Sequence, residues 1–464
     1  MLLIGLEPNI EEIDKYPSRN IFDISIATNN NESNYNKNRA EWFFDQQKKL
    51  AFYRSKTFGG TCNTSFAKLL FTDEYEKYED TIYKNWNISQ KKIPEQIKHS
   101  FCNEIFEYFK KNKKLTIEYP ILAINGEGKI YSTYDNLINN HKNKTNLKIL
   151  QNKKIKKLIY SDNKTKVTGI ILEDTDNFTE TKLNPITNEK VILSSGPFGN
   201  HQILERSKAN NKIMTAYNLR DHVCISLSFD IKNDNGKDII DRKLIEKVKT
   251  RNINNINLLF NEIPENQSNI TENYAFYNTK ETVEDNILFI FANTSIAATT
   301  FKNPNINFKK NHVSVFIAYI GKDSPNAKYS TDGTKYNISS NWMEDQTIID
   351  PLWEATKFIR KEINEIYPLS IEYDLDKRRN EILFKSSFPN YCGVLNSSQG
   401  TCSDLINQEN LKVNDKDNLF ICDSSTFPKL TKFRPLANTL GLCEKFIQST
   451  YIAKSNRQSE KIKL

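Results

Sequence analysis

The chain has 464 residues, too many for one ordinary hydrophobic core, so two domains are expected. Hydrophobic residues make up 38% and aromatics 11%, with 27 Phe and 21 Tyr, which excludes a chain too polar to fold. Lys and Arg number 65 against 57 Asp and Glu, a formal +8, but the two signs interleave and no clustered basic face for nucleic acid is expected.

The N-terminal Met-Leu-Leu-Ile reads as a short buried strand, followed at 28–39 by a polar, Asn-rich loop. Residues 40–53 carry Trp42, Phe43, Phe44, Leu50 and Phe52 at roughly helical spacing, which reads as packing. Gly59-Gly60-Thr61 breaks that pattern, and 91–111 looks like an amphipathic helix within a helical excursion at about 70–115. From 115 to 196 the period becomes that of strands, at 115–124, 148–159, 167–172 and 189–193. Gly126-Glu-Gly128 lies among them and reads as a hairpin turn, since no third Gly and no helix follow. Further strands are expected at 223–231, 286–292, 312–320 and 383–388, with a helix at 349–366. The order suggests an α/β domain (1–216), interrupted by a second domain built on an antiparallel sheet (217–389) and resumed at 390–464.

No apolar run approaches the roughly 20 residues that span a membrane. The start lacks the basic residues of a signal peptide, so a cytoplasmic protein is expected. Seven cysteines (Cys62, Cys102, Cys224, Cys392, Cys402, Cys422, Cys443) form neither a CxxC pair nor a zinc spacing with His. Free thiols in a reducing compartment, and no metal, are the expectation.

The chemistry concentrates in the last seventy residues. Asn418-Leu-Phe-Ile-Cys-Asp423-Ser-Ser-Thr-Phe-Pro428 is an apolar run ending in an acid and a turn. Arg434-Pro435-Leu-Ala-Asn438-Thr439-Leu-Gly then opens a helix. A strand, loop and helix at the carboxyl edge of a sheet is where α/β proteins hold ligands. Three more stretches accompany it: Phe58-Gly59-Gly60-Thr61-Cys62-Asn63; Leu193-Ser-Ser-Gly196-Pro-Phe-Gly199-Asn200-His201; and Asn218-Leu-Arg-Asp221-His222. Each alone is explained by a turn or a core residue. In this order across 56–446, the set resembles the signatures of the glucose–methanol–choline (GMC) family of FAD-dependent oxidoreductases.

The resemblance implies a Rossmann-like FAD-binding domain and an α+β substrate domain. It implies cofactor contacts from Gly59, Gly60, Thr61, Asn63, Ile155, Gly196, Asp423 and Pro435. It places Ser397, Arg434 and Asn438 at the flavin ring and substrate, and makes His222 structural. The implied reaction is oxidation of a CH–OH group, in a polar substrate such as a sugar, by hydride transfer to flavin N5. Oxygen or an electron-acceptor protein would take the electrons, a choice the sequence leaves open.

The match departs from the family in two places. No GxGxxG is present; the first residues look like the second strand of the dinucleotide fold, with Gly5 where the ribose-binding acid stands and Glu7 two residues later. The chain is therefore expected to lack the first strand–helix unit. The position of the family's catalytic His, three residues before Gly400-Thr401, is Ser397, and its partner position is Arg434. A serine of ordinary pKa is no base, and arginine is permanently charged. A GMC-like protein that binds flavin or ligand without turnover is the alternative expectation.

Overall fold

The computed structural model describes residues 2–4, 40–47, 50–55, 68–85, 108, 111, 115–118, 121–122, 147–150, 152–175, 177–183, 189–208, 214–230, 273–277, 279, 286–292, 312–321, 326–332, 335–372, 375–395 and 397–452. The expected loop at 28–39, the glycine turn at 59–61, most of the 91–111 helix and the hairpin at 126–128 lie outside these residues.

Two layers organise the chain. The first contains two short parallel pairs, Leu2–Ile4 with Lys148–Leu150 and Val191–Leu193 with Leu419–Ile421. An antiparallel meander, Lys153–Tyr160, Val167–Asp174 and Glu180–Leu183, lies beside them. Val191–Leu193 leads directly into the helix Gly196–Arg206, and Leu419–Ile421 leads through a one-turn helix to Leu436–Ile447. Both crossings leave the carboxyl ends of parallel strands. Leu158, Val167, Leu193, Leu419, Ile421 and Ala437 close the core beneath them.

The second layer is a seven-stranded sheet. Its central strand, Val223–Asp230, alternates strictly: Val223, Ile225, Leu227 and Phe229 on one face, Cys224, Ser226 and Ser228 on the other. The apolar face packs under the 21-residue helix Gln346–Ile366, whose buried positions Ile348, Leu352, Ala355, Ile359 and Ile363 recur every three or four residues. Asp345 caps that helix, its Oδ1 accepting from Thr347 N–H at 2.8 Å. Strands His312–Tyr319, Ile287–Ala292 and Asn273–Tyr277 complete the centre, and Leu115–Glu118 adds an outer strand from far upstream. The opposite face carries a smaller cluster of Cys224, Leu288, Ile290, Phe316, Ala318 and Ile320, with Phe433 set against it. Phe433 thus packs the segment before the C-terminal helix against the sheet.

Two sequence expectations are corrected. Residues 40–53 form a hairpin, Ala40–Phe44 with Ala51–Ser55, and not a helical face. Phe43 is fully buried while Phe44 is 43% exposed, the alternation of a strand; Asp45 closes the turn by accepting from Leu50 N–H at 2.8 Å. The expected strand at 383–388 is the helix Glu381–Tyr391. Asn380 caps it by accepting from Leu383 N–H at 3.0 Å, and Phe384 and Phe388, four apart, are its buried stripe. In such a short apolar run, spacing alone does not separate strand from helix. The strands at 223–230, 287–292 and 312–319 and the helix at 346–366 match the expected elements closely. Among the described residues, no helix is long and apolar enough to cross a membrane.

Candidate active site

Three segments converge between the layers: Asn218–His222, Ser397–Thr401 and Thr431–Pro435. The joint is a buried carboxylate. Asp221, fully buried, accepts from its neighbour His222 N–H at 2.8 Å, from Ser397 N–H at 3.0 Å to each oxygen, and from Ser398 Oγ–H at 2.8 Å. Burial pushes its carboxyl up to about 7, although these donors and the Arg434 guanidinium pull it down. Backbone bonds in both directions between Arg220 and Gln399, at 3.0 Å, continue the clamp. Gln399 extends it, its Oε1 accepting from Thr431 N–H at 3.2 Å.

His222 is fully buried, and its Nε2 lies 2.7 Å from the Thr431 carbonyl. A carbonyl only accepts, so Nε2 carries the proton and Nδ1 is left with its lone pair. That Nδ1 is buried and has no hydrogen-bond partner. Burial first, and then the Arg434 charge, push the imidazolium down to about 4 although the Thr431 carbonyl opposes this, so the ring is neutral near pH 7.

Gly400 explains why the loop turns where it does. Its φ is +89°, and a Cβ there would stand 2.3 Å from the Asn218 carbonyl oxygen. Gly400 N–H donates to Ser424 O at 3.0 Å, and Thr401 Oγ1 donates to Pro197 O at 2.7 Å. The loop is thereby stitched to both strand–helix crossings.

Those crossings are tied to each other by Asp423. Its Oδ2 accepts from Gly196 N–H at 2.8 Å and from Asn200 Nδ2 at 2.7 Å; its Oδ1 accepts from Ser425 N–H at 2.9 Å. Asn200 completes the bridge by accepting from Ser195 N–H at 2.8 Å. Burial raises the Asp423 carboxyl despite these donors. Gly196 has φ +74°, and a Cβ there would meet nothing within 4 Å, so the backbone faces open space at the start of its helix.

The expected site residues distribute as follows. Ser397 is 3% exposed; its N–H is committed to Asp221, and among the described residues its hydroxyl lies 3.5 Å from Leu395 O. Arg434 is half-buried beside Asp221 and His222. Pro435 begins the helix Leu436–Ile447, whose N-terminus has no side-chain cap. Asn438 is engaged at both ends of its amide: Oδ1 accepts from Thr72 N–H at 3.0 Å and Nδ2 donates to Thr72 Oγ1 at 2.8 Å. These bonds hold its amide against Thr72. Ile155 is half-buried at a register shift of its strand pair, between Ile155 and Lys157. Gly59, Gly60, Thr61 and Asn63 lie outside the described residues. Asp221, Ser398, Gln399 and Thr431 were not singled out from sequence. Asp221 stands in the motif Asn218-Leu-Arg-Asp221-His222, and an acid inside an otherwise structural motif is the one sequence signal for it.

The joint brings together a fixed cation, Arg434, and an uncapped helix N-terminus, with the neutral His222 ring buried behind them. It suits a ligand with an anionic or electron-rich edge.

Comparison with known proteins agrees with this layout. Residues 122–224 match the family described as GMC oxidoreductase. Formate oxidase has a similar structure, with a TM-score of 0.71 at 13% identity over 97% of this chain and 94% of that one. Pyridoxine 4-oxidase from Mesorbium loti gives 0.69 at 13% over the same shares. An FAD-dependent oxidoreductase from Chaetomium thermophilum gives 0.62 at 10%, over 98% and 99%. No curated protein matches by sequence. By the sequence of residues 122–224 the chain is similar to the GMC oxidoreductases, and its fold is that of formate oxidase and pyridoxine 4-oxidase.

Proposed function

We propose that the chain is an FAD-dependent oxidoreductase that oxidises a CH–OH group of a small polar molecule. The observation that carries this reading is the pair of strand–helix crossings tied by Asp423, one turning at Gly196 with positive φ and the other leading to Arg434 and the uncapped helix N-terminus behind Pro435, within a fold shared with GMC oxidoreductases. The neighbours support the cofactor: one is an FAD-dependent oxidoreductase, and formate oxidase of Aspergillus oryzae RIB40 has been studied for its FAD modification.

The residues present fit such a group. The open space at Gly196 admits a close backbone approach, and the crossing tied by Asp423 sits at the carboxyl ends of two parallel strands. The helix Leu436–Ile447 has twelve residues, and the N–H groups of its first turn have no capping side chain. Gly196, Asp423 and Pro435 would hold the cofactor along this line, with Gly59, Gly60, Thr61, Asn63 and Ile155 taking the contacts that the family resemblance assigns. FAD, when bound, supplies the hydride acceptor. Arg434 holds a positive charge where the substrate oxygen becomes negative, and so binds and orients it. The Asp221 clamp keeps Ser397 and Arg434 in one frame. His222 Nδ1 is held in the acceptor tautomer by Thr431.

A sugar is one candidate substrate; the names of the neighbours, formate oxidase and pyridoxine 4-oxidase, point to smaller molecules. Oxygen or a carrier protein would reoxidise the cofactor. A second reading, flavin or ligand binding without turnover, is favoured by one observation: the family's histidine position is Ser397, whose N–H is spent on Asp221.

The test is the visible spectrum of the purified chain, read before and after adding FAD. Flavin bands that survive gel filtration support the assignment. A colourless protein that gains no bands with added FAD refutes it. Bleaching of the bands by an anaerobic panel of small alcohols, sugars and carboxylates separates turnover from mere binding.

A further inference from the structure

Cys422 and Cys443 belong to different elements, yet their sulfurs are 3.6 Å apart. Cys422 follows the strand Leu419–Ile421 and immediately precedes Asp423; Cys443 sits in the second half of the helix Leu436–Ile447. Both are free thiols. Cys422 is 5% exposed and packed in the core, whereas Cys443 is half-buried. The other described cysteines, Cys224, Cys392 and Cys402, are all buried.

We propose that Cys422 and Cys443 form a redox modification site, closing to a disulfide when the chain meets a peroxide. The sulfurs need to approach by about 1.5 Å to reach the bonded distance, a movement within the reach of side-chain torsions and a small helix shift. The accessible partner reacts first. Cys443, as its thiolate, attacks hydrogen peroxide; the O–O bond breaks, hydroxide leaves and is protonated to water, and Cys443 becomes a sulfenic acid. The Cys422 thiol then attacks that sulfur, its proton leaves with the hydroxyl as a second water, and the S–S bond forms. Two thiols are oxidised by two electrons and one peroxide is reduced to two waters. The hydrogen bond with the neighbouring Cys443 thiol, and then burial, keep Cys422 protonated well above the usual thiol range, which suits a resolving partner better than an attacking one.

The location gives the modification its meaning. The bond would join the strand that ends at Asp423 to the helix that starts behind Arg434 and Pro435. Asp423 in turn holds the turn at Gly196 through Gly196 N–H. A cross-link 21 positions long would thus fix both sides of the proposed cofactor cleft. The oxidant is of the class an oxidase using oxygen produces, but the inference does not depend on the chain being one.

The experiment is peroxide titration of the whole chain, followed by alkylation of remaining thiols, proteolysis and mass spectrometry without reduction. The expected result is one Cys422–Cys443 cross-linked peptide, loss of two alkylatable thiols per chain, and a rise of several degrees in melting temperature that dithiothreitol reverses. Cys422→Ser should abolish the cross-link and leave Cys443 to proceed to sulfinic acid. Cys443→Ser should leave Cys422 alkylatable only after unfolding. Recovery of unlinked Cys443 sulfinic acid from the wild-type chain would overturn the proposal, as would two unmodified thiols at peroxide levels that oxidise free cysteine. Neither outcome bears on flavin binding, which the spectrum reports separately.

Discussion

Asp221 offers the sharpest test of how the three segments are held together. In an unfolded chain its carboxyl titrates near 3.9; in the fold, burial outweighs three donors and Arg434 and raises it to about 7. A raised carboxyl means that the folded state holds its proton more tightly than the unfolded state does. Stability from this group is therefore fully present below about pH 4 and is lost as pH climbs to about 7, at about 1.4 kcal/mol per unit. The total is about 4 kcal/mol, above which the curve flattens. Asp221→Asn removes the titration and leaves an amide whose single oxygen meets three donors, so a fixed penalty replaces a pH-dependent one. Urea unfolding of both proteins from about pH 4.5 to 8 measures the difference. The advantage of Asp221 over Asn should shrink steadily with rising pH and level off near 7. A difference that stays flat across that window would mean that the donors and Arg434 keep the carboxylate ionised, and that burial is not the controlling effect.

Other outcomes follow from the same geometry. Gly400→Ala forces a side chain into positive φ and 2.3 Å from Asn218 O, so unfolding free energy should fall by more than about 2 kcal/mol; a loss below about 1 kcal/mol would show that the loop relaxes freely. Asn438→Ala removes both bonds to buried Thr72 and should cost about 1–3 kcal/mol by denaturant titration, with flavin content largely kept. Leu352→Ala, at a fully buried position under the large sheet, should cost about 2–5 kcal/mol with no change in the flavin spectrum. Arg434→Ala should lower the rate of anaerobic flavin reduction by at least about tenfold, or about 1.4 kcal/mol of barrier, while sparing flavin content; an unchanged rate would remove Arg434 from the mechanism.

The sequence by itself determined three central strands of the large sheet, at 223–230, 287–292 and 312–319, and its long helix, because alternation at 223–230 and a 3.6-residue period at 346–366 are written into the order of side chains. It also located the crossings at Gly196 and Asp423, since a strand ending in a turn residue and followed by a helix is a local pattern. Tertiary structure decided whatever depended on partners distant in the chain. Residues 383–388 became helix because Asn380 caps them and two phenylalanines four apart found one core. Asn438 was joined to Thr72, 366 positions away, a partner that no local pattern announces. Asp221 became the clamp on Ser397 and Ser398, 176 and 177 positions downstream. A carboxylate's role is set by which donors surround it and by how little water reaches it. Both are properties of packing, and a linear sequence does not state them.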